Sequence, residues 1–383
     1  MDKLYLDAAA STRPFKAAID LASQVSLVDF ANPGAIHGFG DSCNRIVEEA
    51  RRQILTTLMG DRAKDFACIF TSGATESNNL AILGAARAKA KFSKTVITTT
   101  AEHDSVSRVC DLLANEGFQI VRLRVGPDGQ IDWNEFASLL KSPVALVTAL
   151  AVSNQNGAIL PVEKMVDMVR ELSPRTVFHT DATQAIGKVR LDWSRFDLVS
   201  FSGHKVGGLR GSGALLKRKK IQLVPPEVGG GQEFGLRSGT LNTPGDAALG
   251  LAVEQCLSTL DARVARAEKF KETLLAGLQG VAGVAVLSPA SASPFVIALG
   301  LERWKASTVV QYLSTQGIYI STTSACDAKS DAPNAILRSM GFAPHLADNP
   351  LRISISGESE TPADATRFVE ALKVALKTIR PDR

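Results

Sequence analysis

The 383-residue sequence has no marked excess of either charge, no long apolar run and no closely spaced pair of cysteines. Forty-three Lys and Arg against thirty-nine Asp and Glu leave +4. That bias is too small for a nucleic-acid groove or an anionic membrane patch, so neither direct nucleic-acid binding nor membrane association is expected. The longest apolar stretch, 144–152, is broken by Thr148 and reaches about half the length of a bilayer span. The first residues, Met1 to Asp7, contain no apolar signal core and read as an early strand. The five cysteines, at 43, 68, 110, 256 and 326, are odd in number and form no CxxC. This argues against a disulfide framework and against a structural zinc site, and points to a reducing cytoplasm with no metal. What is present is 45% apolar and 21% charged residues, the balance of a globular chain long enough for more than one core.

From residue 67 onward, apolar runs at 67–71, 95–100, 118–124, 144–152, 176–180, 198–202 and 212–217 alternate with segments of helical length at 76–91, 104–116, 132–141 and 161–172. Such alternation predicts an α/β fold with a largely parallel sheet covered on both faces. No repeat of fixed period appears. A Gly- and Pro-rich stretch, 225–245, reads as a long functional loop, followed by a helical run at 246–278 that is long for one helix. Expected strands at 294–300, 318–322 and 351–356, with helices at 305–316 and 362–378, then indicate a smaller α+β domain from about residue 260.

Five polar clusters each follow an expected strand: 72–75, 102–103, 153–156, 181–184 and 202–205. In an open parallel sheet, ligands bind beyond the carboxyl ends of the strands, so these clusters should converge on one crevice. Gly73 to Glu76 opens a helix and would suit a phosphate; a plain helix cap is the bland alternative. No stretch fits GxGxxG or GxxxxGK[ST], so the phosphate is not expected to belong to NAD or ATP. Asp181 ends an apolar strand, where it is either a turn residue or a paired carboxylate. Lys205 reaches solvent or, held beside other cations, forms an imine with a carbonyl. His103 is a turn histidine or a flat ring to stack. Together, a phosphate cradle, an acid for a ring nitrogen, an imine-forming lysine and a stacking ring meet the needs of pyridoxal 5'-phosphate.

The same residues fall into ordered motifs: Tyr5-Leu-Asp7 through Thr12, Asn32-Pro33 with His37-Gly38, Thr71-Ser-Gly-Ala-Thr-Glu-Ser77, Glu102-His103 and Asp181-Ala-Thr-Gln184. Ser202-Gly-His-Lys205, Gly229 to Glu233, Arg237 to Thr240, Ser324-Ala-Cys326 and Leu351 to Ser354 complete the set. In this order and over nearly the whole chain, the sequence resembles the cysteine desulfurases of the class V aminotransferase group, pyridoxal-phosphate fold type I. The resemblance implies a large cofactor domain, 15–259, and a small domain of 1–14 and 260–383 carrying the catalytic cysteine. It implies that Lys205 holds the cofactor as an imine, Asp181 pairs with the pyridine nitrogen, His103 stacks and moves protons, and Gln184 meets the ring hydroxyl. Ala74, Thr75, Ser202 and His204 would hold the phosphate, joined by Thr240 from the second subunit of a homodimer. Asn154 and Arg352 would receive the carboxylate of L-cysteine, Arg352 by a bidentate pair.

Alone, Cys326 reads as buried filler. Its polar surroundings, 322–334, argue for an exposed thiol, with Lys329 favouring the thiolate and Asp327 and Asp331 opposing it. In the family such a cysteine takes sulfur from bound cysteine as a persulfide, leaving alanine, and passes it to an acceptor for iron–sulfur assembly or for tRNA or DNA thiolation. The other four cysteines read as structural. The sequence departs from the family at Gln155, commonly Glu; at Phe234, usually Arg; at Gly208-Leu-Arg-Gly211; and at Asp327-Ala-Lys329. The rival readings are another class V enzyme, such as a selenocysteine lyase or an aminotransferase, and a non-catalytic scaffold. The basic run 217–220 reads as a solvated turn, with docking of an acidic acceptor as the alternative.

Overall fold

Leu146–Leu150, Val177–Asp181 and Leu198–Ser202 are buried at every position. A strand is buried this way only when both sheet faces are covered, as they are in the computed structural model, which describes residues 3–322 and 333–381. In chain order the strands are β1 (Leu4–Tyr5), β2 (Phe66–Thr71), β3 (Thr95–Thr99), β4 (Gln119–Leu123), β5 (Leu146–Leu150), β6 (Val177–Asp181), β7 (Leu198–Ser202) and β8 (Gly213–Arg218). They continue with β9 (Val284–Val286), β10 (Val296–Leu301), β11 (Ile318–Tyr319) and β12 (Pro350–Ser354).

Seven strands form one sheet in the order β2-β8-β7-β6-β5-β3-β4. All are parallel except β8, which runs against both β7 and β2. Only the short stretch 203–212 joins β7 to β8, less than the crossover a parallel return needs. Successive residues feed opposite faces. Ile69, Val96, Leu146, Val177, Leu198 and Leu215 share an apolar cluster with Ala74–Lys89 and Asp104–Asn115. Phe70, Ile97, Val147, Phe178, Val199 and Leu216 face the other way, onto Gly38–Met59, Val162–Leu172 and Thr243–Ser258. That alternation is the period of two of a strand buried on both sides.

A second core lies under the antiparallel sheet β12-β10-β9 and the helices Leu260–Leu278, Ala306–Thr315 and Pro362–Thr378. The start of the chain belongs to it: β1 pairs in parallel with β11, Leu4 and Leu6 lie in its cluster, and Ala9 N donates to Ser354 Oγ.

Several details differ from the sequence reading. The helical run at 246–278 is two helices meeting at Thr259. The strand expected at 318–322 keeps only Ile318–Tyr319, after which Ser321 bridges to Arg352. Helices Lys16–Val28 and Gly38–Met59 were not assigned. Lys217 is not solvated: it is buried, and its Nζ donates to the carbonyls of Lys219 and Ile221.

Candidate active site

A cavity of about 360 Å³ opens beyond the strand ends and gathers residues from all five polar clusters. Of the site residues expected from the sequence, Ala74, Thr75, His103, Asn154, Asp181, Gln184, Ser202, His204, Lys205 and Arg352 all line it. Thr240 does not; it lies exposed on the loop after Gly235. Cys326 and Lys329 lie outside the described residues.

One wall is the start of helix Ala74–Lys89. Gly73 stands at φ 155 and ψ 179, where a Cβ would come within 3.3 Å of Ser202 Oγ. With no side chain there, Ala74 N donates to Ser202 Oγ at 2.7 Å, and Thr75 stands exposed beside it. A helix N-terminus with hydroxyls beside it is a cradle for an anion. His204 joins this wall; burial, with Lys205 and Arg210 nearby, lowers its pKa to about 4, so it is neutral at pH 7 and can accept or donate.

Asp181 ends β6 on the cavity floor, and both its oxygens are engaged. Asn78 Nδ2 donates to Oδ2 at 2.8 Å and Thr183 N to Oδ1 at 2.9 Å. Behind it, His179 is fully buried between the Thr148 and Ser200 hydroxyls, 2.8 and 2.9 Å from its two ring nitrogens. Burial lowers its pKa to about 4, so the ring is neutral. Glu102 is also buried. It accepts at Oε1 from Thr99 Oγ1 and Leu150 N, and burial pushes its carboxyl up to about 8. The next residue, His103, caps helix Asp104–Asn115: Ser105 N donates to its Nδ1 at 3.1 Å. An accepting Nδ1 leaves the proton of the neutral ring on Nε2.

Lys205 Nζ donates to the carbonyls of Ala9 and Ala10, at 2.5 and 2.6 Å. Gln184 Nε2 reaches the same Ala9 carbonyl at 3.0 Å. Arg352 projects from β12, where Nη2 meets Asp7 Oδ1 at 3.0 Å and Ser321 Oγ at 2.9 Å, and Nη1 donates to the Asn154 carbonyl at 3.2 Å. Asp7 thereby sets the direction of the guanidinium that faces the cavity.

Two of the departures from the family pattern can be placed, while Asp327-Ala-Lys329 lies outside the described residues. Gln155 is buried and accepts from Asn334 Nδ2 at 3.1 Å. Phe234 is exposed, with the Arg51 guanidinium 5.0 Å from its ring centre. Cys43, Cys68, Cys110 and Cys256 are buried, and burial raises the thiol pKa of Cys68, Cys110 and Cys256.

Asn78, Ser105 and the Ala9 and Ala10 carbonyls escaped the sequence reading. Asn78 falls one turn into the helix that opens the cradle, a position readable in hindsight. Backbone carbonyls leave no such signal.

The residues suit pyridoxal phosphate. The anion cradle, the carboxylate on the floor and the amine of Lys205 surround one cavity, and the Thr183 hydroxyl lines it with no hydrogen-bond partner among the described residues.

Residues 4–357 match the family described as Aminotransferase class-V. The chain is 36% identical over 373 residues to a NifS/IcsS protein homolog of Lactobacillus delbrueckii, covering 96% of each. It is 32% identical to the cysteine desulfurase NifS of Azotobacter vinelandii, covering 93% of this chain and 88% of that one. A solved structure of a NifS-like protein superposes with a TM-score of 0.90 at 30% identity, over 99% of this chain and 100% of that one. The chain thus belongs to the class V aminotransferases and, within them, to the pyridoxal-phosphate-dependent cysteine desulfurases.

Proposed function

We propose that the protein converts L-cysteine to L-alanine, with Cys326 taking the sulfur as a persulfide and handing it to an acceptor protein. The supporting observation is the single cavity onto which the Lys205 amine, the Asp181 carboxylate and the Arg352 guanidinium converge. Bound there, pyridoxal phosphate supplies an electron sink for negative charge at the amino acid's α-carbon.

The chain's own groups divide the remaining work. Arg352, aimed by Asp7, receives the substrate carboxylate together with Asn154. Lys205 is the base that takes the α-proton at Nζ. Asp181 keeps a proton on the ring nitrogen, and Asn78 and the Thr183 backbone fix its direction. His103, through Nε2, moves a proton near the leaving sulfur. Ala74, Thr75, Ser202 and His204 hold the phosphate, and Gln184 meets the ring hydroxyl. The Cys326 thiolate then attacks the substrate sulfur; the Cβ–S bond breaks, a sulfur–sulfur bond forms, Cβ takes a proton, and Lys205 returns the proton to Cα to give alanine.

The exposure of Thr240, outside this cavity, supports a homodimer in which it reaches the partner's phosphate. The division into 15–259 and 1–14 with 260–383 is supported by the apolar cluster drawn only from 4–6 and 267–376, although Leu287, Ala298, Leu337, Met340 and Ala347 pack into the core of the large sheet. We assign the protein to the cytoplasm.

Alanine formation and persulfide mass spectrometry test the activity. The wild type should carry thirty-two extra mass units on Cys326 after cysteine treatment, about one sulfur atom, and Cys326→Ser should lose turnover by at least about a hundredfold. Sulfide release from Cys326→Ser at the wild-type rate would exclude this reading. Borohydride reduction should leave the cofactor on Lys205.

A further inference from the structure

Lys188 retains 2% of its accessible surface. An ammonium group is costly to bury without a carboxylate beside it. The charged and titratable groups acting on it are Lys205, Arg263, the Cys256 thiol and Arg352; burial and the three cations lower its pKa to about 7, with the thiol opposing them. Its Nζ donates to Gln184 Oε1 at 2.7 Å, its one hydrogen bond among the described residues. Gly187, just before it, stands at φ +70, where a Cβ would meet Cys256 Sγ, so the backbone of this turn is specified as well.

The contact decides which way Gln184 faces. Oxygen and nitrogen of a side-chain amide are close in size, and partners alone fix the choice. At one end Lys188 can only donate, which calls for oxygen. At the other the Ala9 carbonyl can only accept, which calls for the NH₂ group. That carbonyl also accepts from Lys205, so the amide is turned with its donor toward the lysine.

We propose that Lys188 is a positioning residue that holds Gln184 with its NH₂ toward the reacting centre and thereby sets the proton affinity of the Lys205–cofactor linkage. The proposal rests on the reading of Lys205 as the cofactor lysine. A donor held against the ring hydroxyl oxygen withdraws electron density from the group that shares the linkage proton, so protonation becomes less favourable. Without Lys188 only the Ala9 carbonyl holds the amide, so the donor is turned away for part of the time, and the linkage holds its proton to higher pH.

The test is a pH titration of the visible cofactor absorption in the holoenzymes of wild type, Lys188→Met, Gln184→Leu and the double variant. Methionine has similar length and needs no partner, and thermal unfolding of each protein checks that it is folded. Lys188→Met and Gln184→Leu should each raise the titration midpoint by about one pH unit. The double variant should lie no higher than Gln184→Leu alone. A midpoint indifferent to Lys188→Met overturns the proposal. So does a further full shift on adding Lys188→Met to Gln184→Leu, because the lysine would then act through its own charge. Should Lys188→Met fail to fold, an unshifted Gln184→Leu overturns it equally. A borohydride adduct on a residue other than Lys205 would remove the underlying reading, an outcome distinct from an unmoved midpoint.

Discussion

The Glu102 carboxyl accepts two hydrogen bonds at one oxygen, while the other, Oε2, is buried without a partner among the described residues. That is the environment of a protonated acid, and it has a stability consequence of definite sign. A carboxyl raised from its ordinary value near 4.5 to about 8 binds more proton in the folded than in the unfolded chain over that interval. Stability is therefore full at low pH and falls as pH rises toward 8, by up to about 1.4 kcal/mol per pH unit. Glu102→Gln preserves the accepting oxygen and removes the titration. Urea unfolding should show this variant gaining on the wild type from pH 5 to pH 8, and a constant difference would refute the assignment. The residues of the five polar clusters were legible because each cluster follows an apolar strand, where the topology of a parallel sheet sends ligands, whereas Arg352 lies inside β12 and was named only through the family motif. The state of Glu102 was not legible, since it depends on Thr99 and Leu150 closing around one oxygen. Nor was Lys188, whose spacing from Gln184 says nothing until both are seen to be buried on the same turn.

At the level of elements, the loop 225–245 is tied down by a buried ion pair at Glu233, with a second pair joining Arg237 to Glu76. Arg51, on helix Gly38–Met59, meets both oxygens of Glu233 at 3.0 and 2.9 Å, and Phe70 N of β2 donates to Oε2 at 2.7 Å. Glu233 and Phe234 take left-handed φ values of 49 and 61, a strain that these contacts hold in place. Glu233→Ala removes the buried carboxylate partner of Arg51 and leaves it the exposed Glu48, which should cost about 3 kcal/mol in urea unfolding and expose the loop to limited proteolysis. A loss below about 1 kcal/mol would mean that the loop is held elsewhere. The Gly and Pro content marked this segment as a loop, but not its anchor 182 residues away. Strands of the large sheet were readable as apolar runs between turns. Helix Gly38–Met59 was not: glycines at 38 and 40 weaken its opening turn, and its cap is His37 accepting from Gly40 N. Lys16–Val28 likewise begins at Phe15 with no side-chain cap.

Across the whole molecule, the two parts share an apolar junction, where Leu287, Ala298, Leu337, Met340 and Ala347 pack into the core of the large sheet. Gly157 stands at φ +75, and a Cβ there would lie 2.5 Å from the Val296 carbonyl of β10; Ser293 N donates to its oxygen at 2.9 Å. Gly157→Ala should cost about 2–3 kcal/mol from backbone strain, with the close contact adding to it. A differential scanning melt matching the wild type would show that the junction yields instead. The start of the chain joins the cores a second time: Asp7 binds Arg352, 345 residues ahead, while Ala9 and Ala10 offer their carbonyls to Lys205. During synthesis this has a temporal meaning. At about 5–20 residues per second, the ribosome takes roughly 20 to 70 s to travel from Asp7 to Arg352. The large sheet can form within that interval, but the opening segment has no β11 or β12 to pair with, and the guanidinium that would receive the substrate does not yet exist. The catalytic pocket is accordingly completed only after β11, β12 and Arg352 have been made, long after the large sheet can form.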